Sequence, residues 1–261
     1  MKTTSVALVT GGTSGIGRAA AIAFARRCNN VVITGRRETE GEETLALIRS
    51  SGGTGEGLFL KGDVSRSEDA QEMVERTVMQ FGRLDYAFNN AGVEGAYHPI
   101  DEQTEENYDF VMNINVRGVL LSMKYEIMQM KKNGGGVIVN NSSVAGLCGF
   151  PNAGVYCASK FAVIALTKVG ALENATEGIR VNAVCPGGVK TEMVDRMTGG
   201  NPKVEKAFDE AHPMNRIGQP QEVAGVVLWL CSDQATFVTG QAIGVDGGSS
   251  ASFGGKFSFE G

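Results

Sequence analysis

Tyr156 and Lys160 stand four residues apart in a segment of helical spacing, so their side chains share one face and an ammonium is set beside a phenol. A free tyrosine ionises near about pH 10, too high for a base at neutral pH, but an adjacent cation favours the phenolate and lowers that value. Such a pair can pass a proton to and from an oxygen. Ser143, just past an apolar run, can offer its hydroxyl to the same oxygen, and Asn115, inside an earlier helical pattern, is the polar residue best placed to help a proton relay. Each also has an ordinary structural reading. Tyr-x3-Lys is common on amphipathic helices, Ser-Ser ends many strands, and a helical Asn can serve only backbone.

A second constellation points to phosphate. Thr10-Gly11-Gly12-Thr13-Ser14-Gly15-Ile16-Gly17 follows the first apolar run and opens a helix, with the spacing G-x3-G-x-G in place of G-x-G-x-x-G. Glycines there let the chain turn sharply and let a pyrophosphate approach the N–H groups at the positive end of a helix dipole. At the end of the second apolar run, where an NAD-binding protein usually places a carboxylate for the ribose 2′-hydroxyl, the sequence has Thr34-Gly35-Arg36-Arg37. Two guanidiniums there suit a 2′-phosphate, so NADP(H) is favoured and NAD(H) is the alternative. The other reading of Arg36 and Arg37 is a solvated basic helix start paired with the glutamates that follow. Asp63-Val64 and Asn89-Asn90-Ala91-Gly92 also fall where strands end.

The elements that must hold these residues alternate. Val6–Val9, Val31–Thr34, Leu58–Leu60, Leu84–Phe88, Val137–Asn140, Arg180–Val184 and Ile243–Val245 read as strands. Helical patterns cover Gly15–Cys28, Glu38–Ser50, Ser67–Phe81, Glu105–Met130, Gly154–Thr176 and Gln221–Cys231. The alternation predicts an α/β fold with a doubly wound parallel sheet of about seven strands, helices on both faces, and residues 1–261 as one domain. Residues 188–218 are too long for a connector and read as a lid over the substrate; residues 249–261 form a Gly/Ser/Phe-rich tail.

Composition narrows the partners. With 24 Lys and Arg against 29 Asp and Glu, the formal charge of −5 offers no basic footprint for nucleic acid or anionic lipid. Small-molecule partners are expected. The N-terminal apolar run is too short for a signal-peptide core, and no stretch is expected to span a membrane. Five cysteines, odd in number and scattered, fit reduced thiols in the cytoplasm. His98 and His212 are expected in loops, and no metal site is expected.

Taken together, Gly11-x3-Gly15-x-Gly17, Asp63, Asn89-Asn90-Ala91-Gly92, Asn115, Ser143, Tyr156-x3-Lys160 and Pro186-Gly187-x3-Thr191 closely resemble the short-chain dehydrogenase/reductase family over residues 4–248. The resemblance implies a nicotinamide-dependent oxidoreductase that interconverts a secondary alcohol and a ketone. It implies Tyr156 as general acid/base, Lys160 lowering its pKa and holding the nicotinamide ribose, Ser143 orienting the substrate oxygen, and Asn115 anchoring a relay water. It further implies that Thr13, Ser14 and Ile16 join the glycine turn at the cofactor, that Asp63 and Val64 meet adenine, and that Asn89, Asn90, Ala91 and Gly92 form a floor beside the adenosine ribose. Pro186, Gly187, Val189 and Thr191 resemble the segment that grips the nicotinamide end. Met193, Val194, Met197 and Phe208 would give the lid an apolar pocket, with Gly149–Asn152 and Val155 as the opposite wall.

A homotetramer is implied as well, with Phe257 and Phe259 of the tail expected to dock on a neighbouring subunit. Asn140-Asn141 depart from the family's apolar or small residues before the serine pair, and could alter the pocket floor. The competing readings are a 3-oxoacyl-thioester reductase and a catalytically silent dinucleotide-binding sensor. The complete Asn115, Ser143, Tyr156 and Lys160 set speaks against the sensor, and the net acidity speaks weakly against docking of an acidic carrier protein.

Overall fold

The computed structural model describes residues 4–27 and 29–251. Phe257, Phe259 and the tail from residue 252 lie outside the described residues, as does Cys28. Seven strands, β1 Val6–Thr10, β2 Asn30–Gly35, β3 Gly57–Lys61, β4 Tyr86–Asn89, β5 Gly136–Asn141, β6 Ile179–Pro186 and β7 Ala242–Val245, form one sheet in the order β3-β2-β1-β4-β5-β6-β7. All six pairings are parallel.

Side chains alternate between two helix layers because a strand's period is two. In β1, Ala7 and Val9 join a core with α1 Gly15–Arg26, α2 Glu38–Arg49 and α9 Pro220–Leu230. Leu8 joins the opposite core with α3 Ser67–Phe81, α5 Gly118–Asn133 and α6 Gly154–Asn174. Burial on both faces explains why β1, β2 and β5 read as continuous apolar runs. Leu84, expected to open the fourth strand, precedes β4 and is fully buried.

The long helix expected over Glu105–Met130 is broken. α4 Glu105–Met112 passes through a π-turn, Asn113–Arg117, into α5, and Asn115 lies on that turn. Wider turns of this kind recur at functional sites. Residues 188–218, expected as a lid, contain two short helices, α7 Glu192–Thr198 and α8 Pro202–Glu210. The expectation that no segment matches a membrane span needs amendment: residues Gly154–Glu177 have the length and, at a mean hydropathy of 1.5, the apolarity. Here that segment packs against β6 and carries Tyr156 and Lys160, as a core helix does.

The chain leaves β1 toward β2 and β3, then returns to build β4 to β7 on the other side. The strand order reverses between β1 and β4. Their carboxyl ends diverge there and leave a crevice, the place where open α/β sheets bind ligands.

Candidate active site

The crevice is a cleft of about 460 Å³, lined along one side by Gly11, Thr13, Ser14, Gly15, Ile16, Arg36, Arg37, Asp63 and Val64. Its other side includes Ala91, Gly92, Ser143, Tyr156, Lys160, Pro186, Gly187, Val189 and Thr191. Tertiary folding therefore brings together residues that follow β1 to β6 with residues from the starts of α1 and α6. The size suits a small-molecule site.

The glycine turn is built for close approach. Gly11 has φ +62°, and a Cβ there would stand 2.9 Å from the Ala91 Cα, so only glycine fits against the β4 exit. Ser14, the residue before α1, makes no side-chain cap, and no acidic residue occupies the first turn. The leading N–H groups thus keep their positive end available, which fits a pyrophosphate and would repel nothing anionic. Gly17 is not on the cleft wall; it packs under Gly11 and the Asn90 amide.

Asn90, named in the sequence only as part of the Asn89–Gly92 motif, holds the glycine turn, a role its position in the motif did not reveal. Its Nδ2 donates to the Thr10 and Gly11 carbonyls at 3.1 and 3.0 Å, and its Oδ1 accepts from Asn141 Nδ2 at 3.0 Å. It fastens the turn to the sheet. Asn89, expected on the cleft floor, does not line the cleft. One residue earlier on the strand, it faces inward, 2% exposed, and donates to Glu126 Oε2 at 2.9 Å and Asn140 Oδ1 at 3.0 Å. Asn140 is likewise turned away from the pocket and donates to Thr167 Oγ1 at 2.9 Å. Of the unusual asparagine pair, only Asn141 reaches the cleft. The inward cluster surrounds a fully buried carboxyl, Glu126, whose pKa burial raises to about 7 while the Asn89 hydrogen bond opposes the rise.

Ser143, Tyr156 and Lys160 converge where β5 ends and α6 begins, and Asn115 approaches from the π-turn. Ser143 lines the cleft with Tyr156, its hydroxyl counteracts the rise of the phenol's pKa, and it caps a single 3-10 turn, accepting from Ala145 N at 3.1 Å. Lys160 Nζ lies 5.6 Å from the Tyr156 ring centroid and donates to the Asn141 carbonyl at 2.9 Å. The shared helix face is as the spacing requires, but the expected lowering of the phenol is not what the site produces. Burial, the largest influence, lifts Tyr156 above the ordinary tyrosine value, with the Ser143 hydroxyl opposing it. Burial also brings Lys160 down to about 8, so the ammonium still predominates at neutral pH. Asn115 Oδ1 accepts from Val93 N at 2.8 Å, and its Nδ2 donates to the Val93 carbonyl at 2.8 Å and Ser159 Oγ at 3.0 Å. Both amide protons are therefore used within the protein. The side chain locks the β4 exit to α6.

At the far corner, the sequence's basic pair meets carboxylates. Arg37 Nη1 lies 2.9 Å from Glu192 and 3.3 Å from Glu40, while its Nη2 donates to Ser14 Oγ at 2.8 Å. Arg36 is more open, 3.9 Å from Asp63. Burial works against the Asp63 carboxylate, yet the Ser65 hydrogen bonds and the charges of Arg36 and Arg66 together hold its pKa below the usual range.

The lid crosses the cleft through α7, whose Met193 and Val194 line it. Met197 meets the Tyr97 hydroxyl at 3.8 Å, and Arg196 forms a two-pronged pair with Glu94 at 3.0 and 3.3 Å. Phe208 and the residue 149–152 loop do not line the cleft. His212 is in a turn as expected but is 5% exposed: Nε2 accepts from Gly188 N at 2.9 Å, which leaves Nδ1 to donate to the Phe208 carbonyl at 2.7 Å. It pins the base of the lid. Among the described residues no group of histidine, cysteine and carboxylate side chains is arranged to hold a metal ion.

A family model described as enoyl-(acyl carrier protein) reductase matches residues 11–250. An uncharacterized oxidoreductase of Thermotoga maritima is 46% identical over 249 residues, 94% of this chain and 97% of its own length. An A-factor type gamma-butyrolactone 1′-reductase (1S-forming) of Streptomyces virginiae is 44% identical over 247 residues, 94% and 95% of the two chains. The crystal structure of levodione reductase superposes with a TM-score of 0.93 at 35% identity, covering 97% of this chain and 100% of that one. Because these matches run through the glycine turn, the Tyr156 helix and the lid alike, the likeness extends to the whole cleft, and the chain belongs to the short-chain dehydrogenase/reductase family of oxidoreductases acting on CH–OH groups.

Proposed function

We propose that this enzyme interconverts a secondary alcohol and a ketone with a nicotinamide dinucleotide in the cleft and Tyr156 as general acid/base. The observation that carries the reading is the convergence of Ser143 and Tyr156 on one cleft, with the Lys160 ammonium 5.6 Å from the phenol ring, at the mouth of a glycine cradle. A bound nicotinamide supplies or accepts the hydride. Ser143 holds the substrate oxygen against the phenol, and Tyr156 donates its proton as that oxygen gains charge, or takes it back in oxidation. Lys160 keeps a positive charge behind the ring and can reach a ribose hydroxyl. Asn115 acts by positioning, since its amide protons are committed to Val93 and Ser159.

Within this reading Gly11, Thr13, Ser14, Gly15 and Ile16 receive the pyrophosphate, Arg36 and Arg37 face a 2′-phosphate, and Asp63 with Val64 meets adenine. Pro186, Gly187, Val189 and Thr191 hold the nicotinamide end. NADP(H) is the favoured cofactor, supported by Arg36, the more open of the two guanidiniums. The relatives' names, a gamma-butyrolactone 1′-reductase and levodione reductase, support a small carbonyl compound as substrate. The family model's description favours an acyl thioester as the second reading. The chain acts as one domain with residues 188–218 as its lid. A homotetramer in the cytoplasm is supported by exposed apolar side chains on α4 to α6, among them Tyr108, Phe110, Leu120, Phe161 and Leu172, and by free, mostly buried thiols.

The test is turnover of a ketone and alcohol panel that includes acetoacetyl-CoA, with both cofactors, in wild type, Tyr156→Phe and Arg36→Ala. The phenylalanine variant is expected to lose ~10²–10⁴ in kcat while still binding cofactor, and retention of a tenth of the activity would overturn the assignment. Arg36→Ala is expected to erase a preference for NADP(H) of about ten-fold.

A further inference from the structure

Arg37 is held from two sides. Its Nη2 edge lies on Ser14 Oγ of the glycine turn at 2.8 Å, while Nη1 takes two carboxylates, Glu192 at 2.9 Å and Glu40 at 3.3 Å. Glu40 is a neighbour in sequence, three residues on, and a pair of that kind forms on most helix starts. Glu192 is 155 residues away and arrives on the first turn of α7. A carboxylate in a first turn suits the helix dipole wherever it points. That accounts for its residue type and leaves its direction toward Arg37 unexplained. Its position is fixed by the residue before it: Thr191 Cγ2 lies 3.0 Å from where a Cβ on Gly15 would stand, so the start of α7 rests on the glycine turn. Arg36, one residue earlier, has among the described residues Asp63 as its one ion-pair partner, at 3.9 Å. The corner that looks doubly basic in sequence therefore holds two cations and three carboxylates, Asp63, Glu40 and Glu192.

We infer that Glu192 is a determinant of cofactor choice, acting as a counter-ion that occupies Arg37 and weakens the binding of a 2′-phosphate without affecting a 2′-hydroxyl. The inference rests on the reading that the adenosine ribose lies at the Arg36–Arg37 corner. A 2′-phosphate must share Arg37 with the Glu192 carboxylate, whereas a ribose hydroxyl meets no such competition. Because Glu192 belongs to the lid, a 2′-phosphate on Arg37 also loosens one of the two ion pairs that hold α7 across the cleft, the other being Arg196–Glu94.

Calorimetric titration with 2′,5′-ADP and with 5′-ADP reads this without turnover. Both partners are about half exposed, so the expected change is modest: Glu192→Gln tightens 2′,5′-ADP about five-fold and leaves 5′-ADP within about two-fold. Glu192→Ala gives the same ratio should the amide pack poorly. Glu42→Gln removes one negative charge from an exposed position on α2 and is expected to move neither ligand. With Arg37→Ala in the background, Glu192→Gln is expected to have no effect on 2′,5′-ADP. An unchanged ratio in both Glu192 variants, a shift matched by Glu42→Gln, or a shift that persists without Arg37 overturns the inference. The underlying cofactor reading fails by a different result: wild type binding 5′-ADP more tightly, with Arg36→Ala making no difference.

Discussion

The floor of the cleft and its lid are fastened by different forces. The floor is tied to backbone by buried or half-buried polar side chains, the amides of Asn90 to Thr10 and Gly11 and of Asn115 to Val93, and the ammonium of Lys160 to the Asn141 carbonyl. The lid helix α7 is tied by ion pairs between side chains that are mostly solvated, Arg37 with Glu192 and Arg196 with Glu94. Backbone hydrogen bonds to a buried amide have fixed geometry and are costly to break, whereas exposed ion pairs are each worth little and exchange with water. Under the proposed function, the difference would put proton transfer on the rigid side and access on the side that can open.

The largest expected effect tests how far the floor's stability depends on buried polar groups. Glu126, with its pKa raised from 4.5 to about 7 by burial, favours folding in its neutral form; that contribution is full below about pH 4.5 and is lost as pH rises through about 7. Glu126→Gln, neutral at every pH, is expected to exceed wild type by ~3 kcal/mol at pH 8 and by under ~1 kcal/mol near pH 5. Denaturant melts of both proteins at the two pH values check it. An equal difference at both would mean that Glu126 is not held neutral.

Next in size is Asn90→Ala, which leaves the Thr10 and Gly11 carbonyls and the Asn141 amide without their partner. A loss of about 2 kcal/mol in stability and more than about ten-fold in ADP affinity is expected. A variant that melts normally and binds normally would show that the glycine turn holds itself. The smallest effect belongs to the lid. Arg196→Ala is expected to change stability by less than about 0.5 kcal/mol and to raise the substrate KM by about three- to ten-fold with kcat nearly kept. A large loss of stability there would erase the contrast between the two regions.

Much of this was legible from local pattern. The seven runs read as strands became the seven strands, with β1 and β2 unbroken apolar runs because both their faces are buried, and the glycine turn followed β1 because close backbone approach tolerates no Cβ. The one-turn spacing of Tyr156 and Lys160 placed both on one helix face. Boundaries of a residue or two and the π-turn at Asn115 were not legible, since they turn on hydrogen bonds that any helical pattern permits.

What the amino-acid sequence determined by itself was which residue types stand at which strand ends, and hence a dinucleotide cradle with a proton-transfer pair beside it. Only the tertiary structure decided which of two adjacent asparagines faces the cleft, because strand parity sends Asn89 to Glu126 and leaves Asn90 to hold the turn. It also decided the electrostatics. Burial set the direction of the Tyr156 and Lys160 shifts against the effect of their proximity, and the lid brought Glu192 across 155 residues to Arg37. Desolvation and long-range pairing depend on what surrounds a group in space, and spacing along the chain does not encode that.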